Sequence, residues 1–270
     1  MRADPVVNDW QTPTGHRASQ RTPTASGSRL AVYTSTDQAL SSVSNALLLF
    51  AVAQTATVAQ FGVVTLLVAL INTVMGFNRG ALGTPILLVS NLRPDEIATE
   101  SGYAVTWAAA SGIGAATMLA AVGAITGSMT TAIAFAVAAP AVLIQDVLRL
   151  SALSCGRPLV AVASDGIWAS VMAVLYLVNA MTRIVPFSLV ILLWGVGGLA
   201  SGLLLSAAVG VRPRLHRVWQ WGRTYGTARA RFGWVQALIP ISTTAFIFSI
   251  MLILGSAVAG GLRGASTLFG

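Results

Sequence analysis

Lysine is absent from these 270 residues; all sixteen basic side chains are arginine. That bias points to genome composition rather than to mechanism. Charge is scarce altogether, at 9% of residues, against roughly 25% in ordinary soluble domains. A soluble protein of this length needs more charge to cover its surface. Cysteine is nearly absent too. Cys155 stands alone, which excludes an internal disulfide and a cysteine-based metal cluster. The two histidines, His16 and His216, fall in polar stretches, so neither is expected to serve as a buried base or metal ligand. There is no Walker A sequence and no Gly-x-Ser-x-Gly. The eight carboxylates form no paired acid cluster. Neither enzyme chemistry nor a cofactor or metal is expected.

What remains is hydrophobic. Apolar residues make up 55% of the chain and gather into long runs, each able to cross a bilayer. The fold class expected is all-α, a polytopic transmembrane bundle of about seven helices. Spans are predicted near Asp37–Ala59, Val63–Asn91, Tyr103–Thr126, Thr131–Leu148, Leu159–Ala180, Pro186–Val209 and Trp234–Ala259. Ser35 and Gln38 have capping-box spacing for the first helix, and Asp37 is expected at its N-terminus, where the helix dipole favours a carboxylate. Phe61-Gly62 reads as a tight break. Residues 1–34 are polar and proline-bearing, without the apolar core of a signal peptide. They read as a disordered cytoplasmic tail. Residues 35–210 would form a six-helix lobe, 211–233 a basic loop, and 234–270 a seventh helix opening a second lobe.

Arginine placement gives the orientation. With the N-terminus inside, the inner segments hold four, one, two and six arginines, whereas the outer ones hold only Arg183 and Arg263. This bias predicts a multi-pass protein of the cytoplasmic membrane with its N-terminus inside. The net charge of +8 therefore argues for a lipid bilayer and not for nucleic acid. Trp219, Trp221 and Trp234 flank the basic loop as interfacial anchors would. Gly76/Gly80, Gly123/Gly127 and Gly198/Gly202 have the spacing that lets helix backbones approach closely.

Arg79 is the most informative single residue. It lies roughly 12 residues from the inner end of its span, about 18 Å deep at 1.5 Å per residue. A charge at that depth costs at least ~2.5 kcal/mol unless it meets water or a partner. Its planar fork of donors suits a phosphate, and an anion contact is one reading. A structural pair with Asp146 or Asp165, or a helix broken at Asn78-Arg79-Gly80, is the other. Asp165, in the inner third of its span, could line a cavity or pair with Arg79 or Arg157. Asp146 and Arg149 share one helix face and read as a charge pair at the membrane boundary. Asn45, Gln54, Asn72 and Asn78 are uncharged polar residues within the spans, able to line a cavity or bond between helices.

Several patterns in fixed order resemble the polysaccharide flippases of the multidrug/oligosaccharidyl-lipid/polysaccharide exporter superfamily, in actinobacterial form. They are Val58-Ala59-Gln60-Phe61-Gly62, Asn78-Arg79-Gly80 with Pro85, Asp146-x-x-Arg149, Cys155-Gly156-Arg157-Pro158, Asp165 with Trp168, and Gly261-Leu262-Arg263-Gly264-Ala265. The resemblance covers about residues 30–270. It implies the N-terminal lobe of a two-lobe transporter with a central cavity, working by alternating access, so that a second lobe is a partner or a missing C-terminal half. The implied substrate is a lipid-linked saccharide bearing pyrophosphate, with Arg79, Asn72, Asn78, Asn45 and Asp165 as candidate contacts. Arg263 could echo Arg79 at the start of a second repeat. A cation-coupled drug antiporter of the same superfamily and a non-transporting partner subunit are the alternatives.

Overall fold

The computed structural model describes residues 25–88, 93–224 and 226–269. These are helical, with no strand among them. The helices are α1 (Ala25–Ala53), α2 (Val58–Asn78), a π-helical turn (Arg79–Gly83), α3 (Thr84–Leu88), α4 (Pro94–Thr126), α5 (Met129–Ser154), α6 (Pro158–Thr182), α7 (Phe187–Val209), α8 (Val218–Thr224), α9 (Gly226–Leu254) and α10 (Ser256–Phe269). Six stretches are long and apolar enough to cross a membrane: Val58–Leu88, Asp95–Thr126, Met129–Ser154, Pro158–Thr182, Phe187–Val209 and Gly226–Leu254. The chain is an all-α, polytopic membrane bundle.

The first predicted span is the one outside that set. The N-terminal half of α1 carries Ser, Thr, Gln and Asp at short intervals, too polar for a lipid-exposed crossing. It is nonetheless a long helix lying along α6, with Leu48, Leu49, Ala51 and Val52 in the core. It begins at Ala25, inside the predicted tail, so Ser35 and Asp37 sit in mid-helix rather than at a cap. Residues 1–24 of that tail lie outside the described residues. The capping box is found one helix later. Thr57 Oγ1 accepts from the Gln60 amide at 3.3 Å, and Gln60 Oε1 accepts from the Thr57 amide at 2.9 Å, the reciprocal pairing that starts a helix. The chain therefore turns before Val58. Phe61 and Gly62, predicted as a break, are buried inside α2.

Helix α5 is the hub, packed against α4 and α7. Its apolar face carries Phe135, Ala138, Ala139, Val142 and Leu143 into the main core with Trp168, Met172, Ile191 and Trp194. Helix α9 runs antiparallel along α2 and is the least buried of the six crossings. The approach of α2 to α9 rests on the Gly76/Gly80 pair: a Cβ at Gly80 would come within 2.2 Å of the Phe232 carbonyl oxygen. Gly127, by contrast, ends α4 in the left-handed region at φ 67°, so its role is a turn and not packing. Substituting Gly80 with valine should therefore force α9 off α2. Overpacking of this kind costs about 1–3 kcal/mol, measurable as a lower thermal midpoint of the detergent-purified protein.

The seventh predicted span also differs at both ends. Helix α9 starts at Gly226, within the predicted basic loop, and stops at Leu254 because Gly255 takes φ 89°. Helix α10 then departs at Ser256 and touches α2 where Gly260 meets Gly62.

Candidate functional site

Proline and arginine together shape the centre of the second crossing. Pro85 has no N–H to give the Ala81 carbonyl, and its ring crowds that oxygen. The helix widens ahead of it: the Thr84 amide reaches back five residues to the Arg79 carbonyl, and the Thr84 hydroxyl donates to the same oxygen at 3.0 Å. The freed Ala81 carbonyl accepts from Arg229 Nη1 of α9 at 3.4 Å. Such single-turn widenings recur at functional sites. This one begins at Arg79.

Arg79 engages α5 side-on. Its Nε donates to Asp146 Oδ2 at 2.8 Å and its Nη2 to Asp146 Oδ1 at 2.7 Å, the bidentate geometry that guanidinium and carboxylate favour. Nη1 takes no part in either bond, and the side chain keeps 30% of its surface exposed. Asp146 also accepts from Arg149 Nη2 at 3.0 Å. Arg149 Nη1 then donates to Asp37 Oδ2 at 3.1 Å and faces Asp165 Oδ2 at 3.5 Å. Gln145 Nε2 donates to Asp165 Oδ1 at 2.8 Å and lies 3.3 Å from Ser201 Oγ, whose hydroxyl in turn bonds that of Ser164. One network thus joins α1, α2, α5, α6 and α7.

This corrects the boundary reading of Asp146 and Arg149. Their side chains are each only 3% exposed, because α5 is the central helix and its polar face turns inward onto α1, α2 and α6. Asp37 likewise leaves the helix-terminus role predicted for it and becomes a buried partner of Arg149. Asp165 does not reach Arg79; it shares Arg149 with Asp37.

Arg79 also lines a polar cleft of about 420 Å³ between α1, α2, α9 and α10. Helix α1 contributes Gln38, Ser41, Ser42 and Asn45, and α2 contributes Thr65 and Asn72. Gln236 and Thr243 of α9 and Arg263 of α10 complete the polar lining. Among the described residues, two guanidiniums line this cleft and no carboxylate does. Of the sequence candidates, Arg79, Asn45 and Asn72 meet here. Asp165 is buried and does not line the cleft. Asn78 points the other way: its Nδ2 donates to Ser111 Oγ of α4 at 2.7 Å, beside a separate, mostly apolar cleft of about 490 Å³ between α2, α4 and α9. Gln54 lies in the turn after α1. On α1, Gln38, Ser41, Ser42 and Asn45 recur at helical spacing and mark one polar stripe, the sequence signal for this wall of the cleft.

No family model, no curated protein and no solved structure matches this chain.

Proposed function

We propose that this membrane protein is one lobe of a transporter that moves an anionic, lipid-linked saccharide across the cytoplasmic membrane for cell-surface polysaccharide synthesis. A single observation carries the reading: the polar cleft presents Arg79 and Arg263 with amide and hydroxyl side chains, and no acid among the described residues that line it. Positive charge with neutral hydrogen-bonding groups suits a pyrophosphate joined to a sugar. The cleft is bounded on one side by α9 and α10, the helices that would belong to a second lobe. The resemblance to polysaccharide flippases agrees with this chemistry. The test is binding to the purified protein in nanodiscs. A lipid pyrophosphate should be retained well above the corresponding lipid alcohol, and inorganic pyrophosphate should compete. Equal retention of the alcohol would overturn the reading.

One observation favours the second reading, a cation-coupled drug antiporter. The buried network holds three carboxylates, Asp37, Asp146 and Asp165, against two guanidiniums, Arg79 and Arg149. An excess buried negative charge invites a proton or cation. Uptake of an amphipathic organic cation into proteoliposomes under a proton gradient, abolished by Asp165→Asn, would select that reading instead.

The orientation proposed has the N-terminus and the 211–233 segment on the cytoplasmic side. In a Cys155→Ala background, a cysteine placed at position 220 should react with impermeant maleimide only after the cells are opened. Labelling from outside intact cells would reverse the topology.

A further inference from the structure

The segment joining α7 to α9 carries four arginines and no carboxylate, yet it is held firmly against α4. The Arg214 amide meets the Gly102 carbonyl at 3.2 Å and Thr106 Oγ1 at 3.0 Å. Trp107 Nε1 donates to the Val218 carbonyl at 3.2 Å, and the Trp107 and Trp219 rings stack at 5.8 Å. Trp221 stacks on Tyr103 and donates to Glu100 Oε2 at 2.7 Å, while Arg229 lies 3.8 Å over the Trp221 ring. Backbone and aromatic groups thus fasten the segment, with Val211 buried beneath it, while its arginines, Leu215 and the outer face of Trp219 are left outward.

Those outward side chains are of two kinds. Arg212, Arg214, Arg217 and Arg223 are exposed. Between them stand Leu215, 78% exposed, and Trp219, 60% exposed. Arg223 sits 5.1 Å over the outer ring, Trp219. No Asp or Glu occurs anywhere after Asp165, so nothing in this segment neutralises the four cations. Both neighbours, Phe187–Val209 and Gly226–Leu254, are crossing helices. The segment therefore lies at the bilayer surface, at the depth of phosphate headgroups.

We infer that residues 211–224 form a preformed binding surface for anionic phospholipid headgroups, with the four arginines on the phosphates and Leu215 and Trp219 reaching just below them, to where the acyl chains begin. Charge complementarity selects the occupant: clustered arginines next to a membrane helix attract an anionic leaflet, and tryptophan prefers the interface. An acidic protein or a nucleic acid would meet the charge but leave Leu215 and Trp219 in water. Fastening the segment to α4 beforehand removes most of the ordering cost of binding. The site is independent of the polar cleft and of any saccharide bound there.

The experiment uses the full chain in vesicles of phosphatidylcholine with and without phosphatidylglycerol. Enrichment of phosphatidylglycerol in the retained lipid shell is measured after purification, and Trp219 depth is read by headgroup-brominated lipid, with Trp219→Phe giving its share of the signal. Each arginine should contribute about fivefold to headgroup affinity, which is about 1 kcal/mol. The Arg212→Gln/Arg214→Gln/Arg217→Gln/Arg223→Gln variant should lose at least tenfold in enrichment, and Arg183→Gln, at the opposite end, should lose none. Wild-type enrichment should also fall steeply as salt rises, a readout that stands even if the fourfold variant fails to fold. Equal retention of both lipids, enrichment indifferent to salt, or tighter capture of polyglutamate or duplex RNA than of anionic vesicles would overturn the inference.

Discussion

Replacing Arg149 with methionine should cost the protein about 3–5 kcal/mol, the penalty for stranding buried charge by removing one partner. Arg149 is the only cation in contact with Asp37 and with Asp165 among the described residues, and it shares Asp146 with Arg79. Its loss leaves two carboxylates in the bundle with no opposing charge. The expected result is a sharp fall in monodisperse yield and a thermal midpoint well below wild type. The argument is strengthened by its own rescue. Arg149→Met combined with Asp37→Asn and Asp165→Asn leaves only the Arg79–Asp146 pair charged, and most of the lost stability should return. Such replacement of a whole buried ionic cluster is often tolerated where removal of one member is not. If Arg149→Met alone behaves as wild type, the cluster contributes nothing to holding α1, α5 and α6 together.

The positions of the long helices were legible because apolar runs of crossing length can only be satisfied in this way. Their ends were less so. The Ser35-x-x-Gln38 and Thr57-x-x-Gln60 spacings are equivalent on paper, and only packing decides that the second begins a helix. Gly62 looked like a break because glycine favours turns, whereas here it makes room for the Ser256 carbonyl of α10. Arg79 could be singled out, because a deep arginine must have a reason. Its partner could not be chosen. Asp146 lies 67 positions away, and spacing within one helix says nothing about which face of α5 meets α2. The same limit hid the inward setting of Asp146 and Arg149. Their three-residue separation gives a shared face, but not whether that face looks at lipid, water or the bundle. The cleft depends on four helices meeting and was readable only in its parts.

Arg79→Ala should abolish export of the lipid-linked saccharide while leaving the protein inserted in the membrane, provided the proposed function holds. Arg79 stands between two carboxylate-like demands. Asp146 occupies Nε and Nη2, and Nη1 remains for a ligand in the cleft. The guanidinium is thereby held in one orientation, so a phosphate meets a preset donor instead of a mobile one. Arg79→Lys keeps the charge but offers a single ammonium, which cannot bond Asp146 side-on and still present a directed donor to the cleft. Its export should fall by more than tenfold, a loss exceeding about 1.4 kcal/mol, and alanine should fall further. Stability should separate the roles, because Asp146 retains Arg149 when Arg79 is gone. Arg79→Ala is therefore expected to be the milder lesion to folding and the harsher one to function, the reverse of Arg149→Met. The measurement is complementation of a surface-polysaccharide export defect by the complete coding sequence, with membrane levels of each variant quantified. Normal export by a well-expressed Arg79→Ala protein would leave Arg79 as a strut between α2 and α5 and would remove it from the binding site.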